Sequence, residues 1–166
     1  MEYTLFETYG SLSSLRSCIK ELFNNIGDHS MQNTGFVHVQ HYPNLKRVNI
    51  TVSDFGIGIP HSIRAKYGDM TDAEAIYLAS QEGITAQSRP NNMGAGLNYV
   101  IDRITGMGGN VLIHSLGGNL TCSRENNRQI RKRSSGRGSY PGTLIDIGFD
   151  TRLFVGDDDD RGEVEW

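Results

Sequence analysis

Two stretches early in the chain alternate strictly between apolar and polar. Phe36, His38 and Gln40 fall on one side and Val37 and Val39 on the other, the two-residue period of a strand. Val48, Ile50, Val52 and Asp54 repeat the pattern after a turn at Pro43-Asn44, so residues 35–41 and 47–54 are predicted to pair as a hairpin. Upstream, Leu12, Leu15, Ile19, Leu22, Phe23 and Ile26 recur at helical spacing. That stripe predicts a helix capped by Ser11 or Ser13, with Gly27 either inside it or marking an early end near His29. Thr71-Asp72-Ala73-Glu74 is a capping box and opens a helix to about Gln81, with Gly83 as its C-cap. Leu97, Val100, Ile101 and Ile104 predict another helix, closed by Gly106.

Strands are expected at Asn110–Leu116 and Asn119–Ser123, joined at Gly117-Gly118, and again at Thr143–Phe149, where Ile145, Ile147 and Phe149 share one side. Residues 61–70 show no clean period. The order is helix, hairpin, helix, helix, paired strands and a last strand. It predicts an α/β (α+β) two-layer sandwich, with a mixed, mostly antiparallel sheet and helices on one face.

One position breaks the apolar side of the second strand. Asp54 occupies the place a core residue should take, and Gly56-Ile57-Gly58 follows it. A buried carboxylate is costly unless something hydrogen-bonds to it. It either caps its own turn or accepts from an amino group on a flat ligand that the glycines admit. Gly94-Ala95-Gly96 immediately precedes the helix at Leu97. This is a tight loop or an anion site built on free helix N–H groups. Glu21, Asn25 and Asp28 share a face of the first helix, either as solvated surface or as a site.

Length and composition fit one globular domain. The chain has 166 residues, 37% of them hydrophobic, with 20 glycines, enough for a core with functional loops. The formal charge of −3 is too mild to name a partner and weighs against a dedicated nucleic-acid binder. No apolar run approaches the ~20 residues of a membrane span, and the first residues lack a signal-peptide pattern. Cytoplasmic placement is expected. Cys18 and Cys122 match no metal or redox spacing and are expected as core thiols. The histidines form no metal motif. Arg124, Arg128, Arg131, Lys132, Arg133 and Arg137 face a single acid, Glu125, over residues 124–138. That stretch is expected as a flexible basic loop or, alternatively, an arm for RNA or an acidic partner. Asp157 to Asp160 predict a disordered acidic tail over 153–166. A P-loop is excluded, as is a protein kinase despite Asp54-Phe55-Gly56, because the H-R-D loop is missing.

Four motifs in order resemble the GHKL superfamily, the ATP-binding (Bergerat-type) fold of histidine kinases, DNA gyrase, heat-shock chaperones and mismatch-repair ATPases. Glu21-Leu-Phe-Asn-Asn25-Ile-Gly-Asp-His29 resembles the N box. Asp54-Phe-Gly56-Ile-Gly58-Ile-Pro60 resembles the first glycine box, Gly94-Ala-Gly96-Leu97 the second, and Gly142-Thr143 the last. The resemblance spans Leu12 to Phe149. It implies one histidine-kinase-like ATPase domain over residues 1–152, with a lid at about 61–93.

The resemblance also implies roles. Asp54 would accept the adenine amino group, supported by Thr143. Gly56 and Gly58 would let the purine lie against backbone, with Ile59 on its face. Asn25 would hold Mg2+ bridging the phosphates of ATP. Gly94, Ala95, Gly96 and Leu97 would give N–H groups to those phosphates, and Thr85 and Arg89 would reach them from the lid. Glu21 would act as base, which with His29 places the N box nearer the anti-sigma serine kinases than the sensor histidine kinases, where Asn is usual. The function implied is transfer of the terminal phosphate to a partner protein in a bacterial regulatory system. The alternative is a nucleotide-gated protein-binding module without transfer. The partner or phosphoacceptor would be another protein, with no membrane and no nucleic acid involved; a homodimer stays open.

Overall fold

A computed structural model describes residues 12–29, 34–84 and 96–153. The elements are helix α1 (Leu12–His29), strands β1 (Gly35–Tyr42) and β2 (Arg47–Asp54), helices α2 (Ile59–Tyr67), α3 (Asp72–Ala79) and α4 (Leu97–Gly106), and strands β3 (Asn110–Glu125) and β4 (Arg128–Asp150). Among the described residues, one four-stranded antiparallel sheet runs in the order β1-β2-β4-β3. The helices pack on one of its faces, so the two-layer α+β sandwich read from the sequence is the fold.

The core lies between the layers. Cross-strand partners point to the same face of a sheet. Two apolar rows therefore cross β2, β4 and β3: Val52–Ile145–Ile113 and Ile50–Ile147–Val111. All six are buried, against Leu15, Cys18 and Leu22 of α1 and Val100, Ile101 and Ile104 of α4. Each such side chain contributes roughly 1.5–3 kcal/mol on burial. Both cysteines are free and buried, and burial pushes each thiol up to about 11, which keeps them protonated and unreactive at neutral pH.

Among the described residues, the helical layer stops short of the edge strand β1. Val37 and Val39 of β1 pair with Val52 and Ile50 and so face the helical side, yet they are 43% and 60% exposed. Phe23, expected in the buried stripe of α1, is also exposed. On the opposite face Phe36 meets Phe55 edge-on and Phe55 stacks on Tyr140.

Three local expectations need correction. Residues 59–67 form α2: Gly58 stands before it at φ +78 and Pro60 sits in its first turn, the position where a missing N–H costs nothing. The helix opened by the capping box closes at Ala79 with Ser80 as C-cap; Gly83 lies in the turn beyond. The third concerns residues 110–138. Strand β3 does not turn at Gly117-Gly118. It runs on through a register shift there, because the start of α3 presses on it: a Cβ at Gly118 would lie 2.6 Å from the Asp72 carbonyl carbon.

The stretch 124–138 is accordingly not a flexible loop. Its strand β4 pairs with β3 from Glu125↔Arg128 onward around a two-residue turn. Asn126 and Asn127 both have positive φ, the type I′ geometry that hairpins favour. Two of its cations are already engaged within the molecule. Arg131 is hydrogen-bonded to Ser80 and Asn98, and Arg133 lies over the Tyr77 ring. Among the described residues, no helix is long and apolar enough to cross a membrane.

Candidate functional site

A third row crosses the sheet on the helical face, beyond the two apolar ones. It is polar: Asp54 of β2 pairs with Thr143 of β4, which pairs with Ser115 of β3. The row sits where β2 ends and the glycine loop Phe55–Gly58 begins. Asp54 is 6% exposed and Ser115 fully buried.

Asp54 Oδ1 accepts the Gly56 N–H at 2.7 Å. The carboxylate therefore does cap its own turn. Burial nevertheless pushes its pKa above the ordinary carboxylate value, and the N–H groups of Gly56 and Thr143 offset that only in part. A second carboxylate, Asp72, behaves oppositely. Burial works against its ionisation, but the Arg64 guanidinium and the Gly117 N–H outweigh it and hold its pKa below the usual range. Asp72 ties α2 and α3 to β3 and serves the frame.

Ser115 was missed in the sequence. Its hydroxyl donates to the Gly142 carbonyl at 2.6 Å and accepts the Ile59 N–H at 3.0 Å. It lies 3.3 Å from Thr143 Oγ1. One side chain thus joins the start of α2, the last glycine and Thr143. A signal was available: Ser115 follows Val111 and Ile113 at two-residue spacing, as Asp54 follows Ile50 and Val52.

Two glycines are required by this closeness. Gly58 has φ +78, and a Cβ there would meet Ser115 Oγ at 2.8 Å. Gly142 has φ +92, and its Cβ would fall 2.3 Å from the Asp54 carbonyl oxygen and 2.7 Å from Phe55 Cα. Backbone blocks it on one side, and the dihedral disfavours any side chain. We expect Gly142→Ala to lose about 2 kcal/mol or more of stability in urea denaturation. A loss below roughly 0.5 kcal/mol, the scale of an ordinary surface change, would mean that the close approach is not there.

Helix α1 packs against α4 and β2. Its residues Glu21 and Asn25 are four apart and half-buried. The Glu21 charge reaches Cys18, whose pKa it raises, while Arg103 of α4 lowers it. Gly96 is the N-cap of α4 and makes no side-chain cap. Leu97 is the first helical residue and is buried. Ile59 heads α2 and packs partly against the core. Thr85, Arg89, Gly94 and Ala95 lie outside the described residues, as do most of the stretch 84–93 and the tail from 154.

The fold brings Asp54, Gly58, Thr143 and the unpredicted Ser115 together through register and hydrogen bonds. It sets α1 beside α4 over the same sheet. A recessed acceptor stands in a glycine-lined floor, and a helix bearing Glu21 and Asn25 packs beside the helix that Gly96 opens. Chemically, that offers an acceptor for a donor-bearing planar group and hard oxygen ligands for a cation.

Many solved structures are similar to this chain, among them the following three. The topoisomerase IV ATP-binding domain of Francisella tularensis shares 14% identity at a TM-score of 0.47, over 92% of this chain and 40% of that one. The B-subunit of DNA gyrase from Myxococcus xanthus shares 10% at 0.44, over 92% and 42%. The ATPase and transducer domains of DNA topoisomerase II from Balamuthia mandrillaris share 11% at 0.45, over 85% and 37%. This chain thus spans between 37% and 42% of their lengths. Among curated proteins, no sequence matches it. The family model of histidine kinase-, DNA gyrase B- and HSP90-like ATPases matches residues 10–140, which contain the first three motifs and Ser115, and the chain belongs to that family of ATP-binding domains.

Proposed function

We propose that this ATP-binding domain is magnesium-dependent, works in a bacterial regulatory system and transfers the terminal phosphate of ATP to a partner protein. The observation that supports the reading most is the polar row Asp54–Thr143–Ser115 at the end of an otherwise apolar sheet face. Family membership supplies the nucleotide; the row supplies an acceptor for the adenine amino group. Asp54 has an oxygen beyond the one that caps Gly56, and Thr143 and Ser115 hold the floor around it. Gly56 offers bare backbone for the ring to lie against, Gly58 lets Ser115 close in behind the loop, and Ile59 is assigned to the ring's face.

Asn25 offers an amide oxygen, a hard donor suited to Mg2+, which when bound would compensate the phosphate charge. Gly94, Ala95, Gly96 and Leu97 are assigned to the phosphates through their N–H groups, where the α4 dipole favours negative charge. Thr85 and Arg89 are assigned to a lid that closes on them. That lid is kept to the part of the expected 61–93 stretch beyond α3, because α2 and α3 are fixed to β3 through Asp72 and to the core through Ile76. Glu21, one turn before Asn25, takes the proton of the attacking hydroxyl. With His29 it supports the serine-kinase-like type, and we place the domain in the cytoplasm. The experiment is incubation with ATP labelled at the terminal phosphate and candidate partner proteins. Label on a partner that depends on Glu21 supports transfer; labelled ATP left intact with every partner argues against it.

A second reading keeps the nucleotide and drops the chemistry: the domain is a nucleotide-gated binding module. Phe55 favours it. That residue directly follows Asp54, is 48% exposed and stacks on Tyr140 on the far face. A change at the purine loop is thereby linked to a surface that another protein can read.

A further inference from the structure

Arg131 belongs to the stretch that reads as a basic loop, yet its side chain is only 13% exposed. It points from β4 into the helical layer and spreads its donors over three elements. Its Nε–H donates to Gln129 Oε1 at 2.8 Å. One terminal nitrogen donates to the Ser80 carbonyl at 2.5 Å and lies 3.2 Å from the Ser80 hydroxyl. The other donates to Asn98 Oδ1 at 2.7 Å and stands 3.6 Å from Asp102 Oδ1. Gln129 carries the network onward, donating to Asp102 Oδ1 at 2.7 Å and to Thr105 Oγ1 at 3.1 Å.

The groups Arg131 holds are placed where they matter. Ser80 is fully buried and is the C-cap of α3, where a cation also suits the helix dipole. Asn98 is the second residue of α4, in the turn that Gly96 and Leu97 begin. One guanidinium therefore fixes the end of α3, the first turn of α4 and the strand beneath both. Gln129 pins the same face of α4 one and two turns further on.

We infer that Arg131 is a positioning residue for the phosphate end of the nucleotide site. It touches no nucleotide. It sets the place of α4's first turn relative to the sheet that carries Asp54, Thr143 and Ser115. Backbone donors at a helix start bind an anion well only when held to within about 0.5 Å. The inference rests on the reading of this site as an ATP site. Lysine cannot replace the residue: a single ammonium cannot span Ser80, Asn98 and Gln129 with the geometry of a planar fork.

The test is calorimetric titration of the parent, Arg131→Lys, Arg131→Ala and Asn98→Ala with adenosine and with magnesium-ATP, alongside thermal denaturation. Adenosine samples the Asp54 end alone, and its affinity should stay within about two-fold in all variants. Magnesium-ATP affinity should fall about ten-fold in both Arg131 variants, the scale for losing hydrogen bonds from a charged group. Asn98→Ala removes the bond from Arg131 to the first turn of α4, together with the Asn98–Asp102 bond, while Asp102 and Thr105 stay held. It should shift the ratio in the same direction. It remains informative if Arg131→Ala does not fold. General destabilisation lowers both affinities together and leaves their ratio unmoved, so parallel losses would overturn the inference. So would an unchanged ratio in Arg131→Lys and Asn98→Ala while Asp54→Asn abolishes binding in the same assay; that result would leave the nucleotide reading standing. A parent that binds neither ligand overturns both.

Discussion

Glu21→Ala is expected to bind magnesium-ATP as tightly as the parent, or slightly tighter, and to lose terminal-phosphate transfer by roughly 10²-fold or more. The two effects separate because the side chain has two consequences. A carboxylate close to the phosphates repels them, so its removal does not harm binding. On the proposed reading the same carboxylate takes the proton from the attacking hydroxyl, so its removal costs the chemistry. Asn25 lies four residues on and shares the face, but it should fail in the opposite way. Asn25→Ala should lose the magnesium-dependent part of ATP affinity, since on the proposed reading it removes a hard oxygen ligand and leaves the phosphate charge less compensated. Affinity with and without magnesium, followed by single-turnover loss of the terminal phosphate, reads both. A Glu21→Ala protein with full parental turnover would remove Glu21 as the base. A parent with negligible turnover would favour the nucleotide-gated module.

Asp54→Asn should weaken adenine-nucleotide binding at least about ten-fold, the cost of presenting a donor to the adenine amino hydrogen and leaving a buried group unpaired. It should not damage the fold. Burial raises the pKa of Asp54, so the folded chain holds this proton more tightly than the unfolded one. Its contribution favours folding below the unfolded pKa and is lost as the pH rises through the higher folded value. At neutral pH the ionised carboxylate opposes folding. The Asn variant should therefore be at least as stable as the parent at pH 7, and that advantage should shrink on acidification through the window between the two values. Parental affinity for ATP should fall as the pH drops through the folded value, while the variant keeps only the steps due to protonation of ATP itself, at its adenine and terminal phosphate. Thermal denaturation and calorimetry over a pH series measure both. Unchanged affinity in Asp54→Asn would reduce Asp54 to the turn cap it also is.

Much of this architecture was written in the spacing of apolar residues. Val48, Ile50 and Val52 alternate because β2 lies between two strands with one face covered, and Asp54 stood out as the polar member of that face. The capping box at Thr71 and Glu74 is purely local, and it forms as read. Helix α2 was hidden because it is one turn and a half of apolar spacing, Ile59 to Ile63, between two glycines. The β3–β4 hairpin was hidden for a different reason. Its inner face meets polar helix ends, so Gln129 and Arg131 take positions that alternation would assign to apolar residues. Its turn, Asn126-Asn127, carried the readable signal. Ser115 had the same signature as Asp54, yet its partners, Gly142 and Ile59, are brought to it only by the pairing of β3 with β4 and the entry of α2. Packing decided the rest: Phe23 fits the stripe of α1 by spacing, but it stays 47% exposed.

The most direct test of the central claim is a calorimetric titration of the unmodified chain with ATP and with GTP, each with and without magnesium. A carboxylate acceptor at the purine floor should accept the adenine amino hydrogen and repel the guanine carbonyl oxygen at the same position, a mismatch that leaves buried polar groups unpaired. The account predicts one ATP per chain, tighter with magnesium, and GTP weaker by about ten-fold or more. Equal affinity for the two nucleotides, or no binding of ATP under either condition, would contradict it.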